Sequence, residues 1–292
     1  MGSKKAFYPN TLAFCLFSEI SKKHSQKCAL KGRVKGKFQE TSYGHLYELV
    51  KEFGLGLISL GVTPSEKIFI LSDNRKEWLV SDLAILSIGA INVSRGSDST
   101  LGEVEYILNH SKAKITVVEN CLQLEKVTTL KDKLPWLEKI IVLEDEAGIR
   151  VEKNIYRYNE ILCRGKERSR EGDGSFEDRL KRVKKEDLAT IVYTSGATGP
   201  PKGVMLTHQN ILSNIEATLQ SVKIKSDDRM LSILPSWHMF ERTVEYIMLS
   251  QGASIIYTNP KTLKKDMISE KPTYIVGVPR IWEMIYEAAS KK

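Results

Sequence analysis

Apolar residues follow two alternating patterns along the chain. Short runs rich in β-branched residues, typical of buried strands, alternate with longer segments in which apolar positions recur at helical spacing. The runs that predict strands are Lys67 to Leu71, Ile91 to Val93, Ile115 to Val118, Ile140 to Leu143, Leu188 to Tyr193, Arg229 to Leu234, Ser254 to Tyr257 and Thr273 to Val278. This alternation is typical of an α/β protein with mostly parallel sheets and helices on both faces.

Boundary signals predict where two of the helices begin and end. Thr41-Ser42 can cap a helix with a regular apolar face that ends near Gly61. Asp73-Asn74 can cap a second helix that runs to Leu86. Both helices flank the first predicted buried strand, so the βα rhythm is already established in the first third of the chain.

A charged segment predicts how the chain is divided. In residues 164–187 lysines and arginines are mixed with acidic residues, a composition typical of a solvated surface loop. The strand and helix patterns resume at residue 188. We therefore expect a first α/β subdomain over residues 1–163, a charged surface loop over 164–187, and the start of a second α/β subdomain over 188–292.

Composition and charge narrow the class of protein. The 292 residues are 41% hydrophobic and 27% charged, which is typical of globular proteins. The 44 lysines and arginines outnumber the 36 acidic residues and give a net charge of +8. Because the bases are interleaved with acids and no stacking motif or recognition-helix pattern accompanies them, we expect no nucleic-acid partner.

Cysteine spacing and apolar run length exclude further classes. The four cysteines lie far apart, with neither metal-ligand spacing nor the density of a disulfide framework, so we predict reduced thiols and no metal site built from them. No apolar run reaches the roughly 18 to 20 residues that a membrane span needs. These features favour a cytoplasmic protein.

The segment from Tyr193 to Val204 has the composition of a phosphate-binding loop. It follows a predicted buried strand and precedes a helix that Thr207 can cap. Glycine backbone N–H groups can approach anionic oxygens, hydroxyl groups add hydrogen-bond donors, and a lysine adds positive charge. The candidate phosphate-binding residues are Thr194, Ser195, Gly196, Ala197, Thr198, Gly199 and Lys202.

Other nucleotide-binding motifs fit the sequence less well. A Walker loop counted from Gly196 requires glycine at position 201 and a hydroxyl residue at 203, where this chain has Pro201 and Gly203. A dinucleotide fingerprint that begins at Gly54 fails at Ser59. A flexible surface loop is the alternative without function, because the same residue types favour turns.

Three segments and the loop together resemble a known superfamily. Tyr193 to His208, YTSGATGPPKGVMLTH, resembles the signature loop of the adenylate-forming enzymes, which include acyl-CoA synthetases and luciferases. Leu234 to Arg242 (LPSWHMFER), Val278 to Glu283 (VPRIWE) and Arg95 to Thr100 (RGSDST) resemble the long-chain fatty acid ligases and acyl-carrier-protein synthetases of that superfamily. The similarity extends from about Tyr8 to the end of the chain.

The resemblance implies a two-step ligase reaction. ATP and a fatty acid give an acyl-adenylate and pyrophosphate, and a thiol of CoA or of an acyl carrier protein then displaces AMP. Catalysis would come from positioning and electrostatic stabilisation, because negative charge concentrates at the attacked α-phosphate. The expected small-molecule partners are therefore ATP, Mg²⁺, a fatty acid and the thiol acceptor.

The resemblance also assigns roles to residues. The loop from Thr194 to Lys202 would hold the β- and γ-phosphates, and Lys202 and His238 would be the catalytic residues. His238 would lie beside the carboxylate and the α-phosphate, with a hydrogen-bonded core histidine as its alternative. Trp237 and Phe240 would line the acyl pocket together with His238, or would be plain core residues. Glu241 and Arg242 could form a structural ion pair.

The sequence departs from the family pattern in two ways. Ala197 stands where the family usually has a second serine or threonine, so one hydroxyl donor to phosphate is missing. The family also continues beyond the position of Lys292 with a magnesium-binding motif, a ribose-binding aspartate and a mobile C-terminal domain, none of which has a counterpart here. We therefore expect an incomplete N-terminal domain that does not complete the reaction alone, whether it is a truncated product, a fragment, or one half of a split gene that works with a separate C-terminal chain.

Two alternatives to a fatty acid ligase stay open. A nucleotide- or acyl-binding module would keep the loop and bind without turnover. An adenylate-forming enzyme for aryl or amino acids would lack the WHMFER segment. Acyl chain length, acceptor and oligomeric state are not fixed by the sequence, and peripheral contact with a membrane is compatible with a fatty acid substrate.

Overall fold

The computed structural model describes Thr11 and residues 20–34, 36–144, 153–194 and 200–290. Among these residues the chain forms two compact units. Unit 1 is built from Tyr47–Asp73 and Glu77–Ser213, and unit 2 from residues 20–46, Asn74–Lys76 and residues 214–290. Each unit contains one mostly parallel β-sheet with helices, so the predicted α/β class is confirmed.

The strands and helices follow each other in the predicted alternation. The strands are β1 (Cys28–Val34), β2 (Lys37–Ser42), β3 (Lys67–Leu71), β4 (Ile91–Arg95), β5 (Ile115–Val118), β6 (Lys139–Val142), β7 (Ile155–Arg157), β8 (Leu188–Thr194), β9 (Lys202–Thr207), β10 (Arg229–Ser232), β11 (Ser254–Tyr257) and β12 (Tyr274–Ile275). The helices are α1 (Ser21–Lys23), α2 (Tyr43–Ser59), α3 (Lys76–Ser87), α4 (Leu101–Ser111), α5 (Cys121–Thr129), α6 (Tyr158–Arg170), α7 (Ser175–Arg182), α8 (His208–Ser221), α9 (Met239–Ser250), α10 (Leu263–Glu270) and α11 (Pro279–Ser290).

Unit 1 contains a seven-stranded sheet in the order β7-β6-β5-β3-β4-β8-β9. All neighbours are parallel except β8 and β9, which are antiparallel. Phe69, Val93 and Val118 of the central strands pack with Ile107 of α4 and Val127 of α5 in one buried apolar cluster. Strands buried in this way read as continuous apolar runs, which is why their sequence signal is strong.

Unit 2 contains a five-stranded sheet in the order β12-β10-β11-β1-β2. The pairs of β10 with β11 and β12, and of β1 with β11, are parallel, and β1 and β2 form an antiparallel hairpin. Leu231, Ile256 and Leu263 form its buried cluster. The N-terminal hairpin thus completes a sheet whose other strands follow residue 228.

The expected boundary at residues 164–187 is wrong. These residues belong to unit 1 and are largely helical, forming the end of α6 and all of α7. Phe176 and Leu180, four residues apart, are buried, as is Gly165, while most of the charged side chains point outward. The apolar positions are one helical turn apart but so few that the charge pattern dominates the sequence.

The sheets add one strand and correct one further expectation. Residues 202–207 after the candidate phosphate loop form strand β9, which the sequence did not predict, whereas α8 begins directly after the predicted cap Thr207, whose Oγ1 accepts from the Asn210 N–H. The first subdomain does not extend over residues 1–163, because β1 and β2 pair within unit 2. Strand β9 is largely exposed and so lacks the apolar run of a buried strand. The pairing of β1 with β11 joins strands distant in sequence, which local pattern does not report.

Glycines allow helices α2 and α6 of unit 1 to cross in close contact. A Cβ atom added at Gly165 would lie 1.7 Å from the backbone oxygen of Glu52 and 2.9 Å from the backbone nitrogen of Gly56. A Cβ atom at Gly56 would lie 2.3 Å from the backbone oxygen of Ile161. The glycines near Gly54 therefore serve helix packing, consistent with the failed dinucleotide fingerprint.

Among the described residues, helices long and apolar enough to span a membrane are absent. In the same residues Cys28, Cys121 and Cys163 are not joined in disulfides.

Candidate functional site

The candidate phosphate loop connects the two strands of an antiparallel hairpin in unit 1. Thr194 at the end of β8 is directly paired with Lys202 at the start of β9. Residues paired in this way project on the same face of the hairpin with Cβ atoms about 4.5–5.5 Å apart. Both side chains are exposed. The predicted binding residues Ser195, Gly196, Ala197, Thr198 and Gly199 lie outside the described residues.

The hairpin starts at the carboxyl edge of the parallel sheet. Strand β8 pairs in parallel with β4, so Thr194 and the end of β4 lie at the same edge. Ligands of open α/β sheets bind outside the carboxyl ends of the strands. The position of Thr194 and Lys202 is therefore the one that this fold class uses for binding.

Tyr193, the residue before this pair, is held firmly from helix α4. Its Oη atom lies 2.7 Å from His110 Nδ1, and its ring meets Tyr106 edge-on at 6.5 Å. Burial, and then the neighbouring Tyr106, raise the pKa of Tyr193 to about 12, so the phenol keeps its proton at neutral pH. Opposite it stands Gly203, where a Cβ atom would lie 3.4 Å from the Tyr193 ring and 2.9 Å from Ile191 Cγ2.

The backbone of Tyr193 has a second support from the end of β4. Arg95 Nη1 donates a 3.4 Å hydrogen bond to the Tyr193 carbonyl, and Arg95 Nη2 donates one of 2.9 Å to Glu103. Glu103 is fixed in turn by the backbone N–H and hydroxyl of Thr100 in a capping box at the start of α4. Hydrogen bonds from Thr100 and the charge of Arg95 lower the pKa of Glu103.

The sequence did not identify this support. His110 has no neighbour in sequence that suggests a partner, and Tyr193 is 83 residues away from it. Arg95 lies in the RGSDST segment. This segment resembles the fatty acid ligases, but the resemblance assigned no role to Arg95. A signal for Arg95 was its position two residues after the predicted strand Ile91 to Val93, at the edge where ligands of such sheets bind.

The second candidate segment lies in unit 2, between β10 and α9. His238 is the residue before the first turn of α9 and its ring is exposed. The rings of Trp237 and His238 are 3.8 Å apart between centroids. Phe240 is 56% exposed, so it is not part of the core of unit 2 as described. Trp237 is half-buried.

The segment that leads to His238 is tied down by polar contacts. Asn74 Nδ2 donates to the Leu234 carbonyl, and the Ser236 N–H donates to Asn74 Oδ1 at 2.5 Å. The hydroxyl groups of Ser232 and Ser236 both donate to Glu245 Oε1, at 3.2 and 3.0 Å. The structure therefore adds Asn74 and Glu245 to the site residues that the sequence had found.

Two acidic side chains of α9 are completely buried, Glu241 and Glu245. Burial, and then the charge of Glu245, raise the pKa of Glu241 to about 9. Glu241 is therefore a neutral carboxylic acid at pH 7 and does not form the ion pair with Arg242 that the sequence left open. Arg242 Nε donates instead to Tyr246 Oη at 2.7 Å.

Comparison with known proteins finds one family over nearly the whole chain. A family model described as AMP-binding enzyme matches residues 17–292. The long-chain-fatty-acid acyl-carrier-protein ligase AEE15 of Arabidopsis thaliana is 37% identical over 258 residues, covering 86% of this chain and 36% of that protein. The long-chain-fatty-acid–CoA ligase ACSBG2 of Xenopus laevis is 29% identical over 294 residues, 98% of this chain and 39% of that protein. The chain thus spans well under half the length of these relatives.

A solved structure shares the fold. The long-chain-fatty-acid–CoA ligase FadD1 of Archaeoglobus fulgidus superposes with a TM-score of 0.81 at 22% identity. The match covers 100% of this chain and 56% of that chain.

Proposed function

Because the chain belongs to the family of AMP-binding enzymes, we propose that it supplies the nucleotide- and acyl-binding part of a long-chain fatty acid ligase. The reaction joins a fatty acid to ATP, releases pyrophosphate, and transfers the acyl group from the adenylate to a thiol. The hairpin that pairs Thr194 with Lys202 at the carboxyl edge of the sheet is the observation that carries this proposal.

Lys202 is proposed to bind the β- and γ-phosphates. Its exposed ammonium group lies at the end of the loop that contains the glycine and hydroxyl donors of residues 194–199. Charge-assisted hydrogen bonds of this kind are about twice as strong as neutral ones. Stabilising the phosphates that leave as pyrophosphate favours attack of the carboxylate on the α-phosphate.

His238 is proposed to act beside the reacting carboxylate. The ring is exposed at the beginning of α9 and packs against Trp237, which limits its orientations. An imidazole in this position can donate a hydrogen bond to the oxygen on which charge develops. The acyl chain would run along the apolar surface that Trp237 and Phe240 present.

We propose no magnesium site among the residues that the structure describes. In that part of the chain, no three His, Cys, Asp or Glu side chains lie close enough together to hold a metal ion. Mg²⁺ would supply charge neutralisation of the phosphates when ATP binds. The acceptor is proposed as CoA or an acyl carrier protein, since relatives named for each are similar to this chain.

The first test is ATP binding measured by titration calorimetry. We expect Lys202→Ala to weaken ATP binding by about tenfold or more, because a hydrogen bond from a charged donor contributes about 1.5–3 kcal/mol. Lys181→Ala, which removes an exposed lysine from helix α7 of the same unit, is the matched control and should bind ATP like the wild type. Equal affinity of both variants and the wild type would remove Lys202 from the site.

The second test separates a ligase part from a binding module without turnover. ATP–pyrophosphate exchange is measured with palmitate, for the chain alone and with a candidate C-terminal chain. We expect exchange only when both chains are present, because the chain spans 36–39% of the relatives compared. Exchange by the chain alone would contradict the need for a partner, and binding with no exchange in either arm would favour the binding module. Replacing palmitate by aryl and amino acids tests the substrate class.

A further inference from the structure

The side chain of Asn74 pairs with main-chain groups as a neighbouring strand would. Its Nδ2 atom donates to the carbonyl of Leu234, and its Oδ1 atom accepts from the N–H of Ser236. These two main-chain groups belong to residues i and i+2, the pair that one strand presents to the next. Asn74 is 160 residues before Leu234 in the chain.

The main chain needs this partner because it is buried where the sheet has ended. Strand β10 stops at Ser232, while Leu234 and Ser236 remain buried. A buried carbonyl or N–H group without a hydrogen-bond partner destabilises the fold. Beyond the end of β10, the side chain of Asn74 supplies the partners that a neighbouring strand would give. Pro235 between Leu234 and Ser236 has no N–H of its own, and it cannot continue a strand ladder.

The same segment is tied on its other side to helix α9. Ser232 and Ser236 donate to one oxygen of Glu245, and Asn74 Nδ2 also lies 3.3 Å from Ser232 Oγ. The turn is therefore fixed from both sides, by the completely buried Glu245 and by the half-buried Asn74. Glu245 belongs to the helix that starts directly after His238, so these bonds tie the turn to that helix.

His238 is one hydrogen bond away from the fixed turn. The backbone N–H of His238 donates to the carbonyl of Pro235 at 3.0 Å. Pro235 lies between the two residues that Asn74 holds. The backbone of His238 is thus connected to the turn that Asn74 holds, and the His238 ring packs against Trp237.

We propose that Asn74 is a positioning residue for His238, acting through the turn of Leu234, Pro235 and Ser236. The importance of His238 for catalysis rests on the proposed function, whereas the control of its position by Asn74 does not. Asn74→Ala removes both main-chain contacts. Asn74→Asp keeps an acceptor for the Ser236 N–H but places a negative oxygen against the Leu234 carbonyl.

The direct test is the nuclear magnetic resonance spectrum of the imidazole, with the His238 signal assigned by its loss in His238→Gln. In the wild type the Trp237 ring at 3.8 Å shifts this signal by its ring current. We expect Asn74→Ala and Asn74→Asp to lose most of that shift. Asn109→Ala, which removes a bond from an asparagine side chain to the Lys133 carbonyl in unit 1, should leave the signal in place.

Thermal unfolding of each variant is recorded first to show that it folds. If Asn74→Ala does not fold, the His238 signal of Asn74→Asp tests the proposal. An unmoved His238 signal in a folded Asn74 variant would overturn the proposal, as would an equal displacement in Asn109→Ala. In pyrophosphate exchange with the partner chain present, we expect a rate at saturating palmitate lowered by up to about 100-fold, since a small misplacement has that effect. The KM for ATP should change little, because the phosphate loop is in unit 1. If the wild type shows no exchange while the signal moves, the proposed function fails and the role of Asn74 stands.

Discussion

Gly165→Ala tests the close helix crossing on which unit 1 is built. The added methyl group would lie 1.7 Å from the Glu52 oxygen, far inside the 3.4 Å at which ordinary contact begins. The atoms in the way are main-chain atoms of Glu52 and Gly56 in helix α2, so no side-chain rotation can relieve the clash. Helices α2 and α6 have to separate, which exposes part of their shared apolar surface.

The expected loss of stability follows from two opposing contributions. Overpacking of a tight core typically costs about 1–3 kcal/mol and occasionally more. Alanine in a helix interior returns up to about 1 kcal/mol relative to glycine. Because the clash here is with main chain, the first contribution lies at or above its usual upper end. We expect Gly165→Ala to lower the free energy of unfolding of unit 1 by about 2–3 kcal/mol.

Urea unfolding followed by tryptophan fluorescence measures this difference, because the fully buried Trp78 reports on unit 1. Gly102→Ala is the matched control, since a Cβ atom at this helical glycine of the same unit meets nothing within 4 Å. It should leave stability unchanged or raise it by up to about 1 kcal/mol. A Gly165→Ala protein within about 0.5 kcal/mol of the wild type would show that the helices do not cross in this way, because surface changes stay in that range.

Three further outcomes are expected. Burial and the charge of Glu245 raise the pKa of Glu241 to about 9, from an ordinary value of 4.5. Between these two pH values the folded protein keeps a proton on Glu241 that the unfolded chain releases. The free energy of unfolding therefore falls as pH rises through this range. Glu241→Gln should therefore stabilise increasingly from pH 5 to pH 8, by up to about 1.4 kcal/mol per pH unit, and a pH-independent difference in urea unfolding would contradict this. Gly203→Ala should weaken the hairpin and ATP binding together, because its methyl group would lie 2.9 Å from Ile191 Cγ2; calorimetry showing wild-type affinity would refute the link. Tyr193→Phe removes the hydrogen bond with His110 and should cost about 0.5–1.5 kcal/mol of stability, measured by the same unfolding assay.

The sequence predicted the buried strands well. Lys67–Leu71, Ile115–Val118 and Ser254–Tyr257 begin and end at the predicted residues. Each is buried nearly throughout its length in a parallel pair, so almost every position is apolar and each strand stands out from its polar flanks. At Thr273 to Val278 only Tyr274–Ile275 pair, because this strand lies at the sheet edge with one neighbour.

Features that depend on distant residues could not be predicted. The pairing of Leu30 with Ile255, which places the N-terminal hairpin in unit 2, has no local signature. The helical nature of residues 164–187 was hidden because only a few positions, such as Phe176 and Leu180, are apolar. In the candidate site, residue types predicted Lys202 as a phosphate-binding residue, whereas His238 was singled out only by the resemblance, which also supplied the catalytic role of both.

The described parts of the two candidate segments share one way of being built. In each, the carboxyl end of a strand or the turn that follows it is fixed by side chains from a distant part of the chain. Tyr193 is held by Arg95 and His110, and the turn before His238 is held by Asn74. A single neutral hydrogen bond contributes about 0.5–1.5 kcal/mol, so the hydroxyl that Ala197 lacks is a small loss. Arg95 and Asn74 each hold main chain, so we expect the loss of either support to displace several groups at once. We therefore expect substitutions of the supporting residues to reduce binding and turnover more than the loss of any one neutral donor in the loop.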